Sequence, residues 1–341
     1  MTKINSGVGG AAVLAALISP PPVWTFGVVG AVAAVVNLAP GPRSVGRWAV
    51  VGYRRVRERA APASLTGAPG ETVTWTLYPD HGAMQDPRAR AGFHEAFARA
   101  LVLVAGQART AGIQVHVTHD AVVGDGTEHT QTVSVHVPRG VVGRPARVLG
   151  TLEAEFARLG RLAVAEPAPV GVVCERGPGW VGLDDGRYAS TARVTAWPDT
   201  TDGALMSRLL LGQGQGAGHH ASDRSFSVLY RPLPSTQSRR SARLRSAAAE
   251  AFTTDQVKQD AHRVAGDTAH DALVQGGVLV DVDAYLTVWG DSPESVTDAR
   301  WQASLAADVH RVRLDWLTGQ QHRAHVMTTP HGASTRKGAV L

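Results

Sequence analysis

Residues 71–79 read Glu-Thr-Val-Thr-Trp-Thr-Leu-Tyr-Pro, and the periodicity that starts here organises the rest of the chain. Val73, Trp75 and Leu77 alternate with threonines, which is the period of two that a strand with one buried face shows. A helix is predicted from about Arg88, because large apolar side chains then recur at helical spacing. The chain therefore begins its folded part with a strand followed by a helix.

The next elements extend this pattern to a complete supersecondary unit. Strands around 113–117 and 133–137 flank Gly-Asp-Gly at 124–126, which predicts a hairpin. A helix follows from about Pro145, and a short strand is predicted at 162–165. The order β-α-β-β-α-β predicts a ferredoxin-like module over residues 71–166.

The second half repeats the same order with one insertion. A Gly/Pro-rich linker at 167–186 is predicted to separate the halves, and residues 330–341 are predicted to form a flexible tail. Residues 187–329 then form a second ferredoxin-like module with an Ala/Arg-rich helical insertion at 235–275. Its elements are predicted as a strand at 188–197, a helix at 204–211, strands at 225–230 and 278–289, a helix at 292–308 and a strand at 309–316.

Two apolar runs, 8–18 and 23–38, flank three prolines near the N-terminus. Each is shorter than the roughly 20 residues of a straight spanning helix, but a proline-broken pair predicts a tight helical hairpin. Six arginines between 43 and 59 follow the second run, and Lys3 precedes the first. The positive-inside rule therefore predicts that residues 1–60 anchor the chain in the cytoplasmic membrane, with both termini and the main domains in the cytoplasm.

The predicted fold class is α+β, an N-terminal transmembrane helical hairpin followed by two ferredoxin-like modules. A signal peptide and a pair of buried core helices are the alternatives for the apolar runs. The single cysteine, Cys174, excludes an internal disulfide framework and fits a reducing compartment. The arginine cluster at 43–59 suits anionic lipid headgroups. The formal net charge of +5 does not by itself indicate nucleic-acid binding.

Two short segments of the second half carry a family resemblance. Residues 230–234, Tyr-Arg-Pro-Leu-Pro, precede the long Arg/Ala-rich segment, and residues 319–321, Gly-Gln-Gln, follow the last strand. This order resembles a family of actinobacterial membrane proteins from conjugation-like type IV secretion clusters, which look like a membrane hairpin fused to the non-ATPase N-terminal half of a secretion ATPase. Residues 196–198, Ala-Trp-Pro, are also similar to a segment of the EccE component of type VII secretion.

The first resemblance implies a non-enzymatic, membrane-anchored structural or adaptor component. Such a chain would dock a separately encoded ATPase to a polytopic channel subunit, as an oligomer within a larger complex. An EccE-like membrane component of a type VII system is the alternative. A basic nucleic-acid-binding protein is a further alternative, although the strands lack the exposed aromatic residues that nucleic-acid-binding sheets use. An enzyme has the least support.

The sequence contains no phosphate-binding loop of the type that a secretion motor needs. The glycine-rich run at 212–220 lacks the lysine and hydroxyl of that loop and follows a predicted helix, where the motif requires the loop to precede one. Residues 336–338, Arg-Lys-Gly, have the wrong order. We therefore predict no bound nucleotide and no other cofactor.

The histidines do not predict a metal site. His116 and His119 are three residues apart on a strand and point to opposite faces, so they cannot converge with Asp120. His116 and His136 lie on the polar sides of adjacent strands and approach diagonally, but two imidazoles make a poor zinc site. His322 and His325, in the polar C-terminal region, have no further support as ligands.

No set of residues predicts catalysis. Cys174 has no neighbouring histidine, and no serine sits in a Gly-x-Ser-x-Gly elbow. Residues 184–186, Asp-Asp-Gly, predict a turn. The charged residues of the second half fall on the parity opposite the apolar ones and predict cross-strand pairing, with a charged docking surface as the alternative. They are Arg193, Asp281, Asp283, Arg311, Arg313 and Asp315.

Overall fold

The elements described below lie in one of the two compact units into which the chain divides, the unit made of Pro62–Leu317 and Gln321–Leu341. The computed structural model describes residues 49–53, 56, 69–79, 86–123, 127–166, 171–198, 205, 209–210, 222–234, 236–238, 267 and 271–330.

Secondary structure in the described part of the chain is mainly β-strand. The strands are β1 (Gly70–Pro79), β2 (Gln114–Val123), β3 (Thr127–Pro138), β4 (Gly160–Ala165), β5 (Val173–Arg176), β6 (Val181–Leu183), β7 (Tyr188–Ala196), β8 (Arg224–Pro232), β9 (Val280–Gly290) and β10 (Arg313–Trp316); the helices are α1 (Pro87–Gln107), α2 (Pro145–Phe156), α3 (Pro293–Val309) and α4 (Gln321–Met327). These helices follow β1, β3, β9 and β10.

These strands form one ten-stranded antiparallel sheet. Its order is β4-β1-β3-β2-β8-β9-β7-β6-β5, and β10 pairs with β7. The two halves of the chain are joined where β2 pairs with β8, in a register that sets Val117 opposite Val228. One continuous hydrogen-bond ladder therefore runs through both halves.

The fold class predicted from the sequence is wrong. In the described part of the chain, a single ten-stranded antiparallel sheet with few helices takes the place of two separate ferredoxin-like modules. If the halves were separate, β2 and β8 would be edge strands with rows of unpaired N–H and C=O groups. Pairing β2 with β8 satisfies those groups. The side-chain periodicity within a strand does not predict which other strand it will pair with.

None of the helices in the described part of the chain has the length and apolar character that a membrane span requires. The two apolar runs on which the hairpin prediction rested, 8–18 and 23–38, lie outside the described residues. Most of the predicted insertion at 235–275 and nearly all of the predicted tail also lie outside them.

Several single elements match their predictions, with shifted ends. α2 begins at Pro145, as predicted, because proline suits the first helical turn. α3 begins after Ser292, whose hydroxyl accepts a hydrogen bond from the Ser295 N–H in a capping box. It continues to Val309, so the last strand starts only at Arg313. β5 and β6 lie in the segment predicted as a linker.

One face of the sheet, the helical face, is covered by α1, α2 and α3. Trp75 of β1 and Phe156 of α2 are almost fully buried there, with ring centroids 6.1 Å apart. Under α3 the core uses Ala299 and Ala303 against Leu286 of β9. The small alanines let α3 lie close to the sheet.

The opposite face carries mostly polar side chains, and we call it the polar face. Cross-strand partners share a face, so the register gives one row across both halves. α4 packs on the polar face of the second half, where Ala324 and Met327 contact Leu229 and Tyr285. The row of cross-strand partners on the polar face that runs across both halves consists of Thr76, Thr132, Thr118, Ser227, Tyr285, Arg193 and Asp315.

Candidate functional site

The polar face carries a cavity of about 470 Å³ where the two halves of the sheet meet. We call it the polar cleft. Its floor is formed by side chains of β1, β2, β3 and β8. Its wall is formed by the turn between β6 and β7, the end of β9 and the residues at the end of α4. The lining includes Thr74, Thr118, Thr132, Ser134, Asp120 and Ser225 in the floor, and Glu166, Asp184, Asp185, Arg187, Asp223, Trp289, His325, Thr328 and Thr329 around it.

Hydroxyl groups dominate the floor because the alternate residues of these strands are threonine and serine. Thr74 Oγ1 lies 2.8 Å from Ser134 Oγ, and both side chains are buried. Thr118 Oγ1 lies 3.5 Å from Ser227 Oγ across the β2–β8 junction. The floor thus offers hydroxyl oxygens that accept hydrogen bonds as well as donate them.

Arg187 and Trp289 form one wall of the cleft. The Arg187 guanidinium lies 4.6 Å from the Trp289 ring centroid, and its Nε donates to Asp185 Oδ2 at 2.8 Å. Burial acts to raise the pKa of Asp185, but the hydrogen bonds and charge of Arg187 outweigh it, so the pKa is lowered. Trp289 Nε1 donates to Ser225 Oγ at 3.0 Å. One face of this indole and its N–H donor are therefore occupied.

His325 lies beside the indole and has only 3% of its surface exposed. Its ring meets that of Trp289 edge to face, with centroids 5.7 Å apart. Neither ring nitrogen hydrogen-bonds to any residue that the structure describes. Burial, with a smaller contribution from His322, lowers the pKa of His325 to about 4. The ring is therefore neutral at pH 7, with one donor and one acceptor nitrogen.

Carboxylates outnumber cations around the cleft. Burial raises the pKa of Asp120, and a hydrogen bond with Ser225 opposes that rise. Asp184 Oδ1 accepts from the Val172 N–H at 3.1 Å, and the carboxylate of Asp223 likewise accepts from a backbone N–H of β2. Glu166 and Asp185 complete a set of five carboxylates, against two arginines.

The second arginine is directed away from the cleft. Arg224 belongs to the helical face by register, opposite Val288, and is almost fully buried. Its Nη1 donates to the Leu209 carbonyl at 2.8 Å. Burial lowers the pKa of its guanidinium. Because Arg187 is paired with Asp185, the remaining carboxylates give the cleft an acidic character.

The predicted cross-strand charge pairing is confirmed on the second half of the polar face. Asp283, 3% exposed, accepts hydrogen bonds from both Arg193 and Arg231. Arg193 was among the predicted residues, whereas Arg231 was missed because it follows the apolar part of β8. Asp315 stands opposite Arg193 in register. We call Arg193, Asp283 and Arg231 the ion cluster.

The other predicted charges lie at strand ends. Asp281 stands opposite Arg231. Arg311, in the turn between α3 and β10, adopts φ +57°, a conformation that non-glycine residues rarely take. Arg313 begins β10. The Asp-Asp-Gly segment forms the predicted turn, in which the Gly186 N–H donates to the Leu183 carbonyl at 3.1 Å.

The histidines on β2 separate as predicted. His116 stands opposite Ser134 on the polar face, whereas His119 stands opposite Phe226 on the helical face. His136 is diagonal to His116, and its Nδ1 lies 2.8 Å from Thr72 Oγ1. Within the described ranges no group of three or more His, Cys, Asp or Glu side chains is placed to hold a metal ion.

The sequence reasoning missed a histidine pair across the β2–β3 hairpin. His119 Nδ1 lies 3.2 Å from His129 Nε2, and the rings stack with an angle of 7° between their planes. Burial, followed by the proximity of His129, lowers the pKa of His119 to about 4. The hairpin register sets Ala121 opposite His129, and this diagonal relation was the available signal.

Gln321, the last residue of the Gly-Gln-Gln segment, has a specific place in the sheet. Its Oε1 accepts from the Thr191 N–H at 2.7 Å, and its Nε2 donates to the Thr191 carbonyl at 3.1 Å. Thr191 is fully buried on β7, just past the point where β10 stops pairing at Trp316. The amide therefore continues the ladder where the strand ends.

A second surface of interest lies on the outer side of α3. Trp301, Leu305 and Val309 are 59%, 42% and 74% exposed, and their spacing of four places them along one side of the helix. Asp298 and Asp308 are exposed beside them. We call these five residues the α3 outer surface.

Comparison of the chain with models of known protein families gives no match, and neither does comparison with curated proteins. The resemblance to secretion components therefore stays a prediction from the sequence.

Proposed function

We propose that this chain is a non-enzymatic structural component of a conjugation-like type IV secretion apparatus, docking a separately encoded ATPase to the channel at the cytoplasmic membrane. The sequence resemblance in the second half supports the apparatus. The α3 outer surface supports the docking role, and it is the observation that carries the proposal.

The α3 outer surface is unlike an ordinary solvent-facing helix side. α3 buries small residues, Ala299 and Ala303, and leaves its largest ones, Trp301 and Leu305, in solvent. Burying a Leu side chain contributes about 1.5–3 kcal/mol. Tryptophan is also enriched among the residues that dominate binding energy at protein interfaces. These side chains gain that free energy only when a partner covers them.

The charges beside the surface define the chemistry of the partner. Asp298 precedes Trp301 by one helical turn, and Asp308 follows Leu305 by one turn. A partner surface with an apolar centre and Lys or Arg at its rim would complement both parts. We therefore assign this surface to the ATPase contact, with a basic rim on the ATPase side.

The test is affinity purification of the tagged full-length chain from detergent-solubilised membranes of its native host, followed by identification of co-eluting proteins. We expect a conjugation-type ATPase and a polytopic membrane subunit. The double variant Trp301→Ser/Leu305→Ser should lose the ATPase while keeping its circular dichroism spectrum. Val164→Ser is the matched control, because Val164 is 79% exposed at the β4 edge of the sheet, away from α3.

Each other result contradicts a defined part of the proposal. Co-elution of type VII core components would move the chain to the EccE-like alternative. Recovery of nucleic acid alone would contradict both secretion assignments. An ATPase that remains bound to the Trp301→Ser/Leu305→Ser variant would remove α3 from the contact.

A further inference from the structure

We infer that the polar cleft is a binding site for an organic cation, a ligand group that carries an ammonium or guanidinium. This inference does not rest on the proposed function, because the cleft lies on the polar face and α3 lies on the helical face. Four observations lead to it: the charge of the cleft, a buried imidazole without a hydrogen bond, the hydroxyl floor, and the occupied indole.

The charge of the cleft favours a cation. Five carboxylates line it, in a chain whose formal net charge is +5. Of the two lining arginines, Arg187 is held by Asp185 and Trp289, and Arg224 donates to the Leu209 carbonyl. Attraction between a cation and a partly buried carboxylate such as Asp120 is screened less than at an open surface. The cleft therefore attracts cations locally, although the net positive charge of the whole chain repels them.

His325 shows where a ligand would be needed. Buried polar atoms almost always have a hydrogen-bond partner, and each exception calls for an explanation. Both ring nitrogens of this buried imidazole lack a partner among the described residues, and the ring lines the cleft. Since the ring is neutral at pH 7, its unprotonated nitrogen accepts a hydrogen bond. An ammonium or guanidinium N–H supplies that donor.

The floor is suited to the same ligand. Thr328 Oγ1 and Thr329 Oγ1 donate their protons to the carbonyls of His325 and Val326, at 2.6 and 2.7 Å. Their oxygens therefore have lone pairs left for a donor in the cleft. Thr118 and Thr132 add further hydroxyl oxygens. A volume of about 470 Å³ lies within the range of small-molecule sites.

Other ligand classes fit less well. The lining residues include no metal-binding group of three or more ligands within the described part of the chain. A sugar or nucleobase would need an open aromatic face for stacking, but the Arg187 guanidinium covers one face of Trp289, and the His325 ring meets that indole edge to face. An anion would meet the five carboxylates.

The cation has two possible sources, a free polyamine or the Lys or Arg side chain of another protein. The experiment is isothermal titration calorimetry on the full chain at low salt, with spermidine in one arm and acetyl-Gly-Arg-Gly-amide in the other. We expect saturable one-to-one binding of at least one probe. Binding of spermidine alone assigns a free small molecule, and binding of the peptide assigns a protein side chain.

Variants locate the bound probe. Asp120→Asn keeps the shape of the side chain and removes its charge, and we expect it to weaken binding about tenfold or more. His325→Gln should weaken binding less, because the amide oxygen still accepts a hydrogen bond. Glu153→Gln is the matched control, since it removes one exposed carboxylate from α2, on the helical face, and should leave the affinity unchanged. Should Asp120→Asn fail to fold, Glu166→Gln at the exposed end of the cleft carries the test.

Two results would overturn the inference. One is the absence of saturable binding for both probes. The other is equal weakening by Asp120→Asn and Glu153→Gln, which would mean that the probes bind diffusely to surface charge.

Discussion

The two halves of the polar face bury polar groups in different ways. Over β1–β3, side-chain hydroxyls form the polar pairs, as in the contacts of Thr74 with Ser134 and Thr72 with His136. Over β7–β9, the ion cluster sits in the sheet, and α4 covers the neighbouring residues. The polar cleft lies between these two regions of the polar face, and His325 of α4 lines it. The comparison teaches that polar groups buried on a sheet face are paired in more than one way, and that the polar cleft lies where the pairing among the described residues stops.

The largest effect is expected from breaking the ion cluster. Asp283→Asn leaves Arg193 and Arg231 beside a neutral amide, at a position where the Asp283 side chain is only 1% exposed. Removing one member of a buried ion pair costs about 3–5 kcal/mol, because the remaining charge is uncompensated. Urea unfolding followed by circular dichroism measures the change. Asp315→Asn, exposed and opposite Arg193, is the control and should cost no more than about 1 kcal/mol.

The pH dependence of stability should show a large contribution from His325. Burial first, and the charge of His322 second, lower its folded pKa to about 4 from an ordinary 6.5. The unfolded chain therefore takes up a proton between pH 6.5 and 4 that the folded chain does not. The stability from this group is complete above pH 6.5 and falls by roughly 3 kcal/mol as the pH drops to about 4.

The substitution His325→Gln tests this assignment through the slope of the free energy of unfolding against pH. Urea unfolding at several pH values between 7 and 4 should show the difference in stability between wild type and variant narrowing as the pH falls. Comparing slopes separates the titration from any packing cost of the substitution. Parallel curves would contradict the assignment and place the acid sensitivity elsewhere.

A smaller loss of stability is expected from removing the hydrogen bonds that connect α4 to β7. Gln321→Ala removes the amide that pairs with both backbone groups of Thr191. The Thr191 carbonyl keeps a bond from the Leu317 N–H, so only the buried N–H loses its partner. We expect a loss of about 1–3 kcal/mol in the free energy of unfolding. Gln107→Ala at the exposed end of α1 is the control, and an equal loss there would contradict the role.

The smallest effect is expected from the neutral pairs of the first half. Thr74→Val removes the hydroxyl that lies against Ser134 and should cost about 1–2 kcal/mol. Adding Ser134→Ala removes the orphaned partner, so the double variant should cost less than the sum of the single variants. A double-mutant cycle measured by urea unfolding gives the coupling. Strict additivity would mean that the two hydroxyls do not stabilise each other.

The strands and helices themselves were largely readable from the sequence. The alternation around Trp75, the proline that begins α2 and the hairpin between β2 and β3 each act within a few residues of the chain. The cross-strand charge pairing was also predicted, because parity places Arg193 and Asp283 on the same face. These features depend on local periodicity and turn chemistry.

The pairing that joins the two halves of the sheet could not be predicted from the sequence. The pairing of β2 with β8 links residues more than a hundred positions apart, and backbone hydrogen bonds carry no signature of their partner in the side-chain pattern. The same holds for Arg231, whose partner comes from β9, and for the cleft, which draws its lining from both halves. Each depends on which edges meet.

For the strands that it predicted, the sequence by itself determined which side chains are apolar and which are polar, and hence that each of these strands has one core face. Only the tertiary structure decided that the polar sides line up into a single face, that α4 covers one part of it, and that an acidic cleft with a buried imidazole is left between. The physical reason is that alternation is a property of each strand, whereas edge pairing is a property of two strands whose exposed N–H and C=O groups can satisfy each other.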